Sequence, residues 1–487
     1  MAPGSTILPV ASIVRSAFGR SSGGAIAAIL SPRIPIAVSR TSVDVTTRPP
    51  WTTTSSAGPF PFMSVPSVGR AGRVSIRPAT RHMSSELDSP VRTVESRRGR
   101  RDSMNGSRGL MLVVLAALAL ILGAHGVPAQ DREPVRIGLI YTNSGPLAQL
   151  GIDMRDANLL YWGQVGNRAG GRRVEILLES TASNKPDEGL TKARKLVERD
   201  RVHLLTGVLE TPVAYALRPY VNEKKMALVI NIAGADGLTK QQRSEYIFRS
   251  SFSNSQHSHP LGEWAYKQGY RKMVLLASDF AAGHEHIGGV ARTFVGAGGQ
   301  VIQEIYPPLG APDFAPYLAQ IRRDTDVVAV AIFGSDAMRI VKQYAEFGLK
   351  GKIPLIGKGG LTDEAFLDKL GDDALGIVVA YQWSGALDTP ENRKYREAFQ
   401  AQYKRVASIT AEAGYAGAQM IAKALEATKG DVENLDSFLT ALKKVEIDSP
   451  RGHVTLDQFH NPVQNIYLMK TEKKGGAYQN TKGKWVK

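Results

Sequence analysis

From residue 135 onward the chain alternates short apolar runs with segments whose apolar residues recur every three or four positions. Residues 135–140 (VRIGLI), 173–179 (RVEILLE), 203–207 (HLLTG) and 227–231 (ALVIN) read as strands. Helices are predicted between them at 151–163, 186–200 and 212–224, the second with Leu190, Ala193, Leu196 and Val197 on one face. The rhythm then restarts. Strands are predicted at 272–277 (KMVLLA), 300–305, 327–333 (VVAVAIF), 353–356 and 377–381, with helices at 283–296, 314–323, 337–347 and 364–370. Further helices are expected at 391–403, 410–428 and 436–443, and 454–470 reads as a closing hairpin with Asn461-Pro462 at its turn. Strands that are apolar on both faces and alternate with helices imply parallel sheets covered on both sides. The expected class is α/β, with two units of similar size joined near residues 248–252.

Upstream the pattern is different. Residues 110–122 (LMLVVLAALALIL) form an unbroken apolar run preceded by Met104 and Arg108 and followed by Val127-Pro128-Ala129. A basic start, a short apolar run and small residues at the end describe a secretory signal peptide over 104–129, cleaved before Gln130. The run is too short for a membrane span, which needs roughly 20 residues. Residues 1–103 have no lasting helical or strand period. They read either as a disordered or targeting extension or as translation from a start assigned too far upstream; a signal peptide acts at a chain's own N-terminus, which favours the second.

Charge follows the same division. The 487-residue chain has 61 Lys and Arg against 45 Asp and Glu, a formal +16, but residues 1–129 hold 15 of the arginines, no lysine and five acids. The remainder carries only about +6, without a basic stripe interleaved with aromatics, so no nucleic-acid partner is expected. Cysteine is absent. That excludes thiol catalysis, cysteine-held metals and a lipid anchor, and some 350 residues bury enough core to dispense with disulfides.

In open parallel sheets, ligands bind beyond the carboxyl ends of the strands. The loops there are polar and glycine-rich: 142–148 (TNSGPLA), 209–212 (LETP), 233–236 (AGAD), 279–283 (DFAAG) and 357–360 (GKGG). Backbone N–H groups at such helix starts suit a carboxylate. The segments SGPLA at 144–148, GVLET at 207–211, NIAGAD at 231–236, YIFR at 246–249, SDFAAG at 278–283, GGLTDE at 359–364 and GYAGAQMIAKAL at 414–425 follow one another over more than 300 residues. In that order and spacing the chain resembles the branched-chain amino-acid (Leu/Ile/Val) binding type of periplasmic substrate-binding protein, the receptor of an ABC importer.

The resemblance implies a type I periplasmic-binding-protein fold, with two Rossmann-like lobes joined by a three-strand hinge. Lobe 1 would comprise 130–252 plus 384–452, and lobe 2 would comprise 253–383 plus 453–487. It further implies a monomer of periplasmic location that closes on a small-molecule ligand and docks on separate permease and ATPase subunits. No cofactor, metal or catalytic residue is implied. Position by position, Glu210 and Thr211 match a loop that binds the ligand carboxylate, and Ala233, Gly234, Ala235 and Asp236 match the second such loop. Phe280 matches an aromatic that closes from lobe 2, and Leu150 falls where amino-acid binders often carry an aromatic. Gly359 stands where those relatives place an acid for the ligand's ammonium group. An unpaired buried ammonium is heavily penalised, so the resemblance points to an amino-free carboxylate, in an aromatic-carboxylate-like subgroup. The glycine is expected to leave room for a flat ligand.

Tyr381 and Trp383 end a predicted strand, as hinge packing or as a stacking wall, with neither favoured. The pairs His257/His259 and His284/His286 suggest a metal, but on a helix such a pair points about 200° apart; surface histidines are expected instead. Tyr415 is expected in the core, and Glu412 and Asp236 as ordinary exposed carboxylates. A branched-chain amino-acid or an amide- or urea-type receptor on the same fold is the alternative. An exported hydrolase is less favoured, because the cleft loops carry no Ser/His/Asp set.

Overall fold

A computed structural model describes residues 132–482. The leader and signal peptide expected at 1–129 lie outside the described residues, as do 483–487. The elements follow in the order β1 (Val135–Ser144), α1 (Ala148–Gln164), β2 (Arg168–Ala169), β3 (Arg172–Ala182), α2 (Pro186–Arg194), β4 (Leu204–Gly207), α3 (Thr211–Lys224), β5 (Leu228–Ile230) and β6 (Ile247–Arg249). Next come α4 (His259–Lys267), β7 (Lys272–Ala277), α5 (Ala281–Gly296), β8 (Gln300–Ile305), α6 (Ala315–Leu318), β9 (Val327–Ala331), α7 (Ser335–Glu346), β10 (Leu355–Lys358), α8 (Leu367–Leu370) and β11 (Val378–Tyr381). The chain closes with α9 (Pro390–Tyr403), α10 (Ile409–Ala427), α11 (Leu435–Lys443), β12 (Ile447–Ser449), β13 (Gly452–Leu456), β14 (Pro462–Val463), β15 (Tyr467–Lys474) and β16 (Ala477–Lys482).

Two sheets carry the lobes. The first has the order β2-β3-β1-β4-β5-β6, the second β16-β15-β11-β10-β9-β7-β8. Their central strands pair in parallel, and only the pairs β2–β3, β11–β15 and β15–β16 are antiparallel. The first sheet shows why its strands are apolar throughout. Ile137, Leu204, Val229 and Phe248 pack on one face with Met420, Ile421 and Leu425 of α10 and Phe438 of α11. Ile140, Leu205, Leu228 and Ile247 pack on the other with Leu196, Val213 and Leu217. Both faces are dry, as a doubly covered parallel sheet requires.

The chain passes between the sheets three times, after β6, after β11 and after β14. These passages form the hinge of a type I periplasmic-binding-protein fold. Some predicted elements differ, among them the helix expected over 364–370, which covers only Leu367–Leu370. The helix expected over 314–323 stops at Leu318, because Thr325 and Asp326 turn the chain to cap the start of β7, Asp326 accepting from the N–H groups of Arg271 and Lys272 at 2.7 and 2.8 Å. The closing hairpin over 454–470 is also divided. β13 turns back into β14, and His460 between them stacks on Phe248 of the first sheet (4.2 Å between rings), while β15 runs on to pair with β11. The passage to the second sheet follows β14.

Candidate functional site

The carboxyl ends of both sheets face a cavity built from both lobes. Each loop that leaves a central strand contributes to it: Leu147 and Leu150 after β1, Leu209, Glu210 and Thr211 after β4, Ile232 and Gly234 after β5. The opposite wall holds Phe280, Ala282 and His286 after β7, Phe333 and Gly334 after β9, Lys358 and Gly360 at the end of β10, and Tyr381 at the end of β11. Phe252 and Asn254 from the first hinge passage, and Ile409 and Thr410 from the start of α10, complete it. Crossover topology thus gathers residues more than 200 positions apart.

Of the eleven residues singled out from the sequence, Leu150, Glu210, Thr211, Gly234, Phe280 and Tyr381 line this cavity, and the other five do not. Ala233 and Ala235 are buried behind the wall, and the carbonyl of Ala235 accepts from the Arg249 guanidinium. Asp236 turns away to accept from the Ser255 N–H at 3.0 Å and from Lys240 at 3.2 Å. Trp383 is fully buried, its indole N–H donating to Asn392 at 2.8 Å, so the hinge-packing alternative describes it. Gly359 leaves no room for a ligand. A Cβ there would meet Cβ and Cγ of Tyr381 at 2.5 Å, so the glycine serves close packing of β10 on Tyr381. Its neighbours Lys358 and Gly360 face the cavity instead.

Lys358 is the main feature that the sequence pattern concealed. Only 8 % exposed, its side chain makes no hydrogen bond or ion pair among the described residues. Its ammonium lies 4.2 Å from the Phe333 ring centroid and 5.9 Å from that of Tyr381. Burial pulls its pKa down to about 8, partly offset by Asp363. Asp363 is itself pushed up to about 8, chiefly by burial, and gives its oxygens to the N–H groups of Ala365 and Ile409. Holding the lysine charged costs about 3 kcal/mol, at 1.36 kcal/mol per unit of displacement. A basic residue closing an apolar strand at the crevice was the available signal.

The acid in the cavity wall is already occupied. Glu210 accepts from Thr142 Oγ1 at 2.8 Å and from the Asn184 N–H at 2.5 Å. Burial raises its pKa despite these donors. Beside it, Thr211 Oγ1 accepts from Asn254 at 2.9 Å and keeps its own hydrogen to donate. Thr211 also opens α3, whose N-terminus has no side-chain cap, and the Gly234 N–H makes no hydrogen bond within the described residues. Uncapped N–H groups of this kind favour an anion.

The histidines depart from expectation. His257 and His286 are buried, with rings 4.5 Å apart, whereas His284 is exposed and pairs with Asp279 at 2.8 Å. Burial holds both inner rings well below the ordinary histidine range, hence neutral at pH 7. Among the described residues no group of three or more candidate ligands could hold a metal. Glu412, expected exposed, is fully buried and bonded to Arg451. Tyr415 is half-buried, edge-on to Tyr161 at 5.1 Å.

Across the cleft the lobes touch. The Ser335 N–H at the start of α7 donates to the Pro146 carbonyl at 3.1 Å. Gly334 permits this approach: its φ is +59°, and a Cβ would lie 2.1 Å from that carbonyl oxygen. Two sheets that shut on a cavity built from both define a two-lobed solute receptor.

The chain belongs to the family described as periplasmic binding protein, whose pattern matches residues 134–477. An ABC transporter substrate-binding protein from Sphaerobacter thermophilus is 39 % identical, with 72 % of this chain and 97 % of that one covered and a TM-score of 0.68. A solute binding protein of an ABC transporter from Rhodopseudomonas palustris BisB5, in complex with 3,4-dihydroxy benzoic acid, is 33 % identical, with coverage of 72 % and 96 % and a TM-score of 0.69. Leu/Ile/Val-binding protein homolog 6 of Brucella melitensis is 31 % identical over 375 residues, 75 % of this chain and 95 % of the relative. The chain is thus a substrate-binding receptor of the ABC-transporter type. Its family consists of solute receptors and implies an extracytoplasmic location and transporter components as partners.

Proposed function

We propose that the receptor binds a small aromatic carboxylate without an amino group and delivers it, as a monomer, to separate permease and ATPase subunits. Lys358 is the observation that carries this reading. A buried ammonium that has no hydrogen bond or ion pair among the described residues and lies over aromatic rings calls for an anion. On the facing wall, Thr211 and Gly234 offer donors for the carboxylate, and Phe280, Phe333 and Tyr381 suit a flat ring. The benzoate-type ligand of the Rhodopseudomonas relative supports the same class. An α-amino acid fits less well: its ammonium would enter beside Lys358, and the acid in the wall, Glu210, already serves two donors.

Ligand bound only by the folded state must raise the melting temperature. A thermal-shift screen should therefore respond to benzoate, 4-hydroxybenzoate or 3,4-dihydroxybenzoate and not to leucine, valine, amides or urea. A shift with leucine and none with the aromatic acids would overturn the ligand class. We also propose export by the signal peptide at 104–129, with cleavage at Ala129-Gln130. N-terminal sequencing of the exported protein tests this, and a mature chain beginning before Met104 would contradict it.

A further inference from the structure

Beside the cavity, one carboxylate crosses from lobe to lobe. Glu285 lies on α5 of the second lobe, next to the cavity residue His286. Its Oε1 accepts from the Tyr215 hydroxyl on α3 of the first lobe at 2.6 Å. Its Oε2 accepts from the Asp236 N–H after β5 at 3.0 Å and from Asn254 Nδ2 in the hinge passage at 2.7 Å. All three donors lie outside its own helix. The Tyr215 oxygen in turn accepts from the Gly237 N–H at 2.9 Å, which fixes the hydroxyl's direction. The same Asn254 amide donates to Thr211 Oγ1, so two hydrogen bonds link the cavity wall to the interlobe contact.

A solvated surface carboxylate would not look like this. Glu285 is half-buried, its pKa is raised by burial and then by Asp236, and three donors compensate it only while the lobes are together. Opening would strip it of the Tyr215 and Asp236 partners at once. Charge-assisted hydrogen bonds are among the stronger ones a protein makes.

We propose that Glu285 is a positioning residue that latches the lobes over the bound ligand and sets its residence time. Asn254 couples the latch to the cavity: a ligand that orders Thr211 also orders the amide that holds Glu285. This rests on the receptor reading of the cavity, and its test separates the two.

The chain has no cysteine, so labels at Glu223→Cys on α3 and Glu346→Cys on α7, both exposed, report the interlobe distance cleanly. The probe is 4-hydroxybenzoate, followed by stopped flow. Glu285→Ala should release it about 10- to 100-fold faster, with association changed by less than about threefold, and should shift the labels toward longer distances. Tyr215→Phe should act in the same direction more weakly, and combining the two should add little to Glu285→Ala alone. Unchanged release, faster release at unchanged distances, or full additivity of the two variants would overturn the latch. If the wild type does not bind the probe, the ligand class fails by itself. The ligand-free distances then decide: a shift in Glu285→Ala supports the latch, and identical distributions refute it.

Discussion

Arg451 and Lys358 are both withdrawn from water, and their surroundings treat them in opposite ways. One Arg451 nitrogen donates to both oxygens of Glu412 at 2.8 Å, another to Gln464 at 2.7 Å, and the third to the Ser250 carbonyl. It ties α10 to two of the hinge passages and leaves no charge unanswered. Lys358 ends a strand at the cavity, where its ammonium faces the Phe333 and Tyr381 rings and makes no ion pair among the described residues. Both are expensive to bury, and of the two only Arg451 is paired with a carboxylate among the described residues. The difference separates scaffold from candidate site: the Arg451 charge is answered within the hinge, whereas the Lys358 ammonium faces the cavity.

Breaking the scaffold half of this comparison should have the largest effect. Arg451→Met strands Glu412 in a dry interior and should cost about 3–5 kcal/mol in urea unfolding. Adding Glu412→Leu should recover most of the loss, since no buried charge then remains unpaired. If the single variant were as stable as the wild type, Arg451 would not be a structural charge. Closure comes next. Gly334→Ala puts a methyl into the Pro146 carbonyl only when the lobes meet, besides straining a positive φ. Calorimetry should show about a tenfold loss of ligand affinity; an unchanged value would mean that the bound form lacks this contact.

The pH dependence sharpens the Lys358 half. The free ammonium titrates at about 8, below the ordinary lysine value of 10.5. Affinity for an anion should be level below pH 8 and fall by about tenfold per unit above it, once the lysine deprotonates. Asp363, also displaced to about 8, becomes negative over the same range and acts in the same direction. Stability of the ligand-free protein should run the other way. A lysine pKa lowered by folding means that the unfolded chain binds more protons between pH 8 and 10.5, so the cost is complete below 8 and is relieved as pH rises. Affinity that strengthens above pH 8 would contradict this assignment. The smallest effect belongs to the facing wall: Thr211→Val removes one neutral donor and should weaken binding by about three- to tenfold. A larger loss would move the main anion contact to the first lobe.

The fold was legible from residue 135 on because its strands are buried on both faces and its helices are amphipathic, and those periods survive without tertiary information. Six of the eleven expected site residues stand at the cavity because strand ends in open parallel sheets point there. The misses are informative in physical terms. Gly359 and Lys358 are adjacent at a strand end, where one step reverses which side faces the crevice, so the lysine and not the glycine reaches the cavity. Phe252, Asn254 and Phe333 reach the cavity through hinge and closure, which no local pattern encodes. For His284 and His286, the 200° separation that argued against a shared metal also places one ring outward and one inward, as found.

The central claim is that Lys358 stays unpaired because the ligand supplies its counter-ion. Lys358→Met, measured by calorimetry with 4-hydroxybenzoate and by ligand-free urea unfolding, tests it in one protein. The expected result is an affinity at least about 100-fold weaker together with a ligand-free protein more stable by about 1–3 kcal/mol, since the charge and its burial cost leave together. Wild-type affinity in the variant, or a ligand-free protein destabilised by the change, would contradict it.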